Sequence, residues 1–431
     1  MLAASGTPDP GVHDVVARDA GVIASMNKSV ALLAAASMVC GLAAAVAWGL
    51  GGIPALSMGL AASLVLSAVA LALLAIGGLE VVRRQRRLQA GEADLFLVRN
   101  AVRSEAALRR SAVPQARPLR RWLARSAFGH RHLVGDRVRV KSIEAIRATL
   151  DANHCLDGLP FMEEMAAFCG RTARVFRVVD KIYDYGRSRM MRRLDGCVLL
   201  VGLRCDGSDH GGCEAACYLI WKTQWLDALE PGAAADDGLA PLARPRAMRQ
   251  PPYHCQYTEL SAASRPAAAS SIHGTLGPLV VGNITAAAFG TALVTRAFNA
   301  FQSWRGGVCY PSAGAADGQP APVSEPVQAG EWVRIRLSHE IARTLDKNSK
   351  HRGLWFDADM LKFCGQTFRV RGRVQQIIDV SRNAMVSMKT PCITLDDVHY
   401  SGEFQGFGEQ HDYLYWREAW LQRVGPPPGR D

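Results

Sequence analysis

The chain has 431 residues, 49% of them hydrophobic, and carries 50 lysines and arginines against 39 acids, for a formal net charge of +11. That length has room for two or three domains, and the basic balance points to an anionic partner such as lipid headgroups, nucleic acid or an acidic protein. Eleven scattered cysteines, an odd number, exclude the dense disulfide framework of a small secreted domain and read as reduced thiols. Alanine and arginine are abundant and lysine is scarce, as in proteins from GC-rich bacterial genomes.

Residues 1–28 form an N-terminal tail. From Ser29 to Leu79 no residue is charged. A bilayer core takes about 20 apolar residues per helix, so this stretch predicts a transmembrane helical hairpin at 29–79. Its spans are placed at 29–50 and 55–79, and "GLGGIP" from Gly49 to Pro54 supplies the turn. Arg83, Arg84, Arg86 and Arg87 follow at once. Positive charge beside a span marks the cytoplasmic side, which places both termini in the cytoplasm and the chain in the inner membrane. The juxtamembrane segment 80–130 stays basic through Arg99, Arg103, Arg109, Arg110, Arg117, Arg120, Arg121 and Arg125. Each such charge is worth about 1 kcal/mol near an anionic leaflet. The expected partners are therefore the lipid bilayer and its anionic headgroups, with an unidentified protein besides. Nucleic acid is the weaker reading, because no aromatic residues interleave these arginines as stacking platforms.

Beyond this segment the chain repeats itself. "GDRVRVKSIEAIRATLDAN" at Gly135 matches "GEWVRIRLSHEIARTLDKN" at Gly330, and "GLPFMEEMAAFCGRTARV" at Gly158 matches "GLWFDADMLKFCGQTFRV" at Gly353. "YLIWKTQWL" at Tyr218 matches "YLYWREAWL" at Tyr413. Every match has one offset, 195 residues, without a gap, and about a third of the positions are identical. The chain divides into repeat A (131–229), a linker (230–328), repeat B (329–424) and a tail (425–431). Within a repeat, "VRV" is strand-like, and "SIEAIRATLD" is a short helix capped by Ser142. "FMEEMAAF" is a helical turn stopped by Gly170; "ARVFRVVDKIYD" and "GCVLLVGL" are strands; "CEAACYLIWKTQWL" has a helical pattern. The expected fold is two tandem small, mainly-β (α+β) cytoplasmic domains of about 90 residues each. In the linker, Leu276–Thr295 is uncharged but holds Gly277, Pro278, Gly282, Asn283 and Gly290, and is not read as a third span. Phe289, Leu293, Ala297, Phe301 and Trp304 line one helical face, expected to pack against A or B.

A "GDxVRV" strand, an excursion and a "CGxxxRV" strand resemble SH3-like barrels, over some 50 residues of each copy. The whole repeat is similar to a bacterial family carrying the block "GLxF…M…CG…V", a cysteine cluster and a terminal "W(K/R)xxWL". That resemblance implies the duplicated domain and no particular chemistry.

"CDGSDHGGCEAAC", Cys205 to Cys217, is the chemical lead. Structural zinc takes four thiolate or imidazole ligands in a tetrahedron, and glycine-rich turns let a backbone fold tightly round an ion. The candidate ligands are Cys205, Cys213, Cys217 and His210, with Cys169 from outside the loop. Against this, Cys213, Cys217, Trp221 and Trp225 recur every fourth residue, as a core stripe on a helix would. Repeat B keeps Cys364 and Cys392 but has Tyr400, Gly408 and Asp412 where A has Cys205, Cys213 and Cys217. Joint loss is what residues of one site show, so a structural zinc is expected in A alone, with core packing and a redox or disulfide role as the alternatives. In B, His399 and His411 could make a different, poorer site with Asp412, but the commoner reading is that they are surface histidines.

No P-loop, dinucleotide fingerprint, HExxH or GxSxG is present. The acids Glu163 and Glu164 face Ala358 and Asp359 in B, so no carboxylate pair is preserved. The reading is a membrane-anchored binding or scaffold protein. The alternatives are a membrane-tethered biosynthetic enzyme using a thiol or metal-bound water between A and B, and nucleic-acid binding through the arginines.

Overall fold

The computed structural model describes residues 72, 75–87, 118–229, 251–267, 272–313, 318–321, 325–402 and 408–426. Two compact units are present. One comprises residues up to Arg87 together with Gly290–Ser312; the other comprises Leu88–Phe289 with Ala313–Asp431.

In the first unit the described chain is helical over 75–87 and over the part of the helix Ala286–Trp304 from Gly290 onward. Gly77 lies against Val294, and the Gln85 carboxamide grips Ser312 through both its N–H and its oxygen (2.8 and 3.1 Å). Among the described residues no helix is long and apolar enough to cross a membrane. Within the described residues this stands against the expected transmembrane hairpin and the inner-membrane placement built on it. Residues 75–79, the end of the second expected span, run without a break into a helix carrying Glu80 and four arginines. Arg84 is buried there and bonded to Glu80 at 3.4 Å, with Val81 buried beside it. A helix that turns an arginine inward to an acid one turn away is packing against protein. The remainder of spans 29–50 and 55–79, and the basic residues from 88 to 117, lie outside the described residues. The linker helix was expected on A or B; from Gly290 onward it belongs to the first unit.

The second unit is mainly β, each half built on an antiparallel sheet. In A the strands are β1 (Arg137–Val140), β2 (Cys155–Leu156), β3 (Leu159–Pro160), β4 (Thr172–Tyr183), β5 (Met191–Arg204), β6 (Tyr218–Lys222) and β7 (Leu226–Ala228). The sheet order is β6-β5-β4-β1-β7, and β8 (Arg265–Pro266) pairs with β5. B carries β9 (Trp332–Ile335), β10 (Lys350–His351), β11 (Leu354–Trp355), β12 (Thr367–Asp379), β13 (Ala384–Leu395) and β14 (Leu421–Val424), in the order β13-β12-β9-β14. Two isolated bridges, Ile393↔Trp416 and His399↔Tyr413, stand where A pairs Val198↔Trp221 and Arg204↔Tyr218. Each pair differs by 195 residues from its counterpart. Ser142 caps the short helix Ile143–Arg147 by accepting from the Ala145 amide at 3.3 Å, as its sequence position predicts.

The cores match as well. Trp221 and Trp225 are fully buried, with Phe161 edge-on to both (6.4 and 5.4 Å), and Trp416 and Trp420 repeat this around Phe356 (6.4 and 5.3 Å). The second indole N–H reaches a threonine in each half, Thr149 at 3.1 Å and Thr344 at 3.0 Å, so no polar group is sacrificed to bury it. The helical reading of 213–226 does not hold. Cys213 and Cys217 lie in an irregular loop, Trp221 on β6, and Trp225 in the one-turn 3-10 helix Thr223–Trp225.

The halves meet through a reciprocal contact. The Glu214 carboxylate of A accepts from the amides of Gln375 and Gln376 on β12 (2.5 and 3.2 Å). The Glu409 carboxylate of B accepts from the amides of Asp180 and Lys181 on β4 (3.1 and 2.5 Å). Backbone bonds Glu214 N–H to Gln376 O (3.1 Å) and Glu409 N–H to Lys181 O (2.9 Å) complete the pair. All these positions are related by 195, so the same patch is used twice, as in the self-complementary interface of a twofold dimer.

Candidate functional site: a metal-capable corner in a cleft between the halves

Three side chains of A converge from two directions. The 3-10 helix Glu163–Phe168 turns Glu164 and Met165 into the interior. The loop after β5 supplies Cys205 and His210. Its ends are joined by the Cys205 amide donating to Cys217 O at 2.8 Å, and its centre is wound tight by the Gly212 and His210 amides, both donating to Gly207 O (3.0 and 3.1 Å). Gly207 has φ +72°, and a Cβ there would collide with the Cys213 carbonyl, so the turn requires glycine.

The ligand atoms of Glu164, Cys205 and His210 all lie within 4.8 Å of one another, a group that can hold a metal ion. His210 Nε2 is 3.8 Å from Glu164 Oε1 and 3.3 Å from the Met162 sulfur. Both Glu164 and His210 are only 4% exposed, and neither carboxylate oxygen of Glu164 has a hydrogen-bond partner of proper geometry. Burial above all, with smaller contributions from Asp206 and Asp209 and against the opposing effect of the Cys205 thiol, pushes the Glu164 carboxyl up to about 8. Burial, then Glu164, drives the Cys205 thiol well above its ordinary value. Without a cation, these groups are held neutral at a cost; a cation makes both anionic forms favourable.

Repeat B shows what such a carboxylate requires. Asp359 occupies the position of Glu164 and lies 3.3 Å from the ammonium of Lys362. It also accepts from the Ser401 amide (2.6 Å), the Ser401 hydroxyl (2.9 Å) and the Gly402 amide (3.3 Å). In A, Ala167 replaces Lys362 and Asp206 replaces Ser401. The cation and the hydroxyl are both gone, and a thiol and an imidazole stand in their place. One imidazole, one carboxylate and one thiol suit zinc, and the buried, unpartnered carboxylate shows that the residues fit such an ion.

Of the five residues expected from sequence, the structure brings together Cys205 and His210. Cys213 and Cys217 line the same cleft without joining the group. The Cys213 sulfur accepts from the Ile378 amide of B at 3.5 Å, while burial drives the Cys217 thiol well up. Cys169 packs against the A core. Glu164 was missed: the sequence shows it only as half of an unpreserved acid pair, 41 residues ahead of Cys205. His399 and His411 are not surface residues. They are buried and stacked at 4.3 Å between the halves, and burial together with Arg177 and Arg204 keeps both well below the ordinary histidine value. Surrounding arginines repel a metal ion there.

The cleft has a volume of about 1020 Å³. Met162, Cys205, His210, Cys213 and Cys217 form one wall; Tyr183, Tyr257 and Tyr415 are among the tyrosines that face it, and Trp355 and Ile378 come from B. A second thiol, Cys155, lies 3.7 Å from His254 Nε2, whose Nδ1 is 3.5 Å from Glu259. Burial and the charges of Asp151 and Glu259 push that thiol up to about 11, so it is no thiolate at neutral pH. No family model matches the chain, and no curated protein and no solved structure matches it.

Proposed function

We propose that the chain is a metal-dependent binder of an apolar small molecule. Zinc is held by Glu164, Cys205 and His210, and the tyrosine-walled cleft between the halves takes the organic ligand. The observation that carries this is the buried Glu164 carboxylate, unpartnered beside a thiol and an imidazole where the other half has a lysine. Three protein ligands leave a fourth position, the arrangement of zinc sites that meet a substrate or water rather than of closed structural ones. Two of the three ligands line the cleft, and a large, mainly apolar concavity with a few polar groups is the usual form of a ligand site. The binding-protein reading of the sequence is kept in this form, without its membrane anchor. The enzyme alternative would use the same corner, with water at the fourth position. The resemblance of each half to an SH3-like barrel is part of the proposal; a first strand joining the last strand to the middle of the sheet supports it.

The test uses the full chain, reduced and freed of metal, titrated with zinc and then with benzohydroxamate, an aromatic zinc chelator. The expected result is about one tightly held zinc, with benzohydroxamate binding only after loading. Glu164→Gln and Cys205→Ser should each abolish both. Zinc uptake unaffected by these changes, or benzohydroxamate binding independent of zinc, would sink the reading.

A further inference from the structure

A second recess, of about 460 Å³, lies where the helix Pro118–Phe128, the turn after it and the paired strands β1 and β7 meet. Its lining is basic: Arg125, His130, Arg131, His132 and Lys141, with Asp227 as the acid. The nearby acids are largely committed elsewhere. Asp136 takes both nitrogens of the Arg121 fork (3.1 and 2.7 Å) and the Leu133 amide (2.9 Å), and Asp180 takes His130 Nε2 at 3.1 Å. Asp227 stands 3.7 Å from Lys141 on an exposed side chain, an arrangement worth little. The guanidinium groups of Arg125 and Arg131 have no hydrogen-bond or carboxylate partner among the described residues.

The recess also holds an unsatisfied buried donor or acceptor. His132 is 4% exposed, and its Nδ1 has no hydrogen-bond partner. Burial holds this imidazole below its ordinary value, and Arg131, Arg125 and Arg121 add to that despite Asp136. Two carbonyls at the C-terminal end of this helix are capped within the turn. Gly129 (φ +71°) turns the chain so that its own amide caps Arg125 O (3.2 Å) and the His130 amide caps Ala124 O (2.9 Å).

We infer that this recess binds the phosphate of a soluble phosphorylated small molecule. Two unpaired guanidinium forks and an ammonium suit a dianionic oxyanion, which arginine engages bidentately. The volume leaves room beyond a phosphate group for part of its substituent. A nucleic-acid strand would want successive aromatic platforms, and the recess offers none besides its histidines.

The experiment titrates phenyl phosphate into the full chain, kept metal-free with chelator so that the cleft does not report. Saturable binding at one site, tighter than about 1 mM, is expected, and Arg125→Ala and Arg131→Ala should each weaken it about tenfold. Both side chains are exposed, so the variants should fold. Absence of saturable binding, or binding unchanged in the double variant, overturns the inference. So does preference for phosphatidic acid vesicles or for a single-stranded oligonucleotide with no binding of phenyl phosphate.

Discussion

Glu164 and Asp359 stand at equivalent places in the two halves, each a carboxylate almost without solvent. Asp359 is neutralised by Lys362 and held by Ser401. Glu164 has neither, and its ionisation is suppressed until a cation arrives. The pH dependence of the metal-free chain follows. The folded value, about 8, lies above the reference 4.5, so the folded state binds more protons between those limits. The stability this gives is fully present below pH 4.5 and is lost as pH rises through about 8. Glu409, raised by burial and by Asp180, acts in the same direction. His132, His399 and His411, held below the ordinary histidine value, act the opposite way below about pH 6.5, so the Glu164 share is read as a difference: urea midpoints of the chelated chain between pH 5 and 8 are expected to fall more steeply, or rise less, than those of Glu164→Gln, and identical slopes would show that Glu164 ionises freely in the fold. Cys205 and His210 were legible because the glycines among and after them (Gly207, Gly211 and Gly212) announce a tight loop. Glu164 was not, because its neighbours come from a distant segment, and because setting Glu163–Glu164 against Ala358–Asp359 tested for a pair when only the second acid of each matters.

At the scale of elements, the loop from Cys205 to Cys217 and the described ends of its counterpart in B share one glycine turn. Gly207 and Gly402 have φ +72° and +73°, and at each a Cβ would strike a carbonyl, of Cys213 and of Gly408. Gly207→Ala is expected to cost at least about 3 kcal/mol, combining positive-φ strain with overpacking against backbone, and to abolish zinc binding. Gly170→Ala is the control: φ is +76° but nothing lies within 4 Å of the added Cβ, and the cost should be only about 1 kcal/mol. Thermal unfolding of the two variants separates them, and equal losses would mean the loop is not tightly constrained. The misreading of residues 213–226 as a helix has a physical source. All five residues of β6 are buried, so the strand lacks the alternation that marks a half-exposed one. The cysteines before it supplied a fourfold spacing by coincidence, whereas β1, β4 and β5 were legible from β-branched runs.

At the scale of the molecule, a duplicated chain makes an internal pseudo-dimer with a cleft between its halves. The repeat was legible because a constant offset of 195 residues needs no structural knowledge. The interface was not, although Glu214 and Glu409 are identical residues at that same offset; only the fold shows that each reaches backbone amides of the other half. An uncharged stretch from 29 to 79 suggested a membrane hairpin, and its described end is a protein-packed helix. With the metal-capable group on one wall and tyrosines among the others, the two halves differ in chemistry: the first sets Glu164 beside a thiol and an imidazole, the second has an internal ion pair. The most direct measurement is zinc K-edge X-ray absorption on the full chain loaded with one equivalent. The account expects one sulfur at about 2.3 Å and nitrogen or oxygen ligands at about 2.0–2.1 Å, from Cys205, His210 and Glu164. A shell of three or four sulfurs would contradict it, moving the metal to the cysteine cluster of Cys205, Cys213 and Cys217 and leaving the buried Glu164 without its cation.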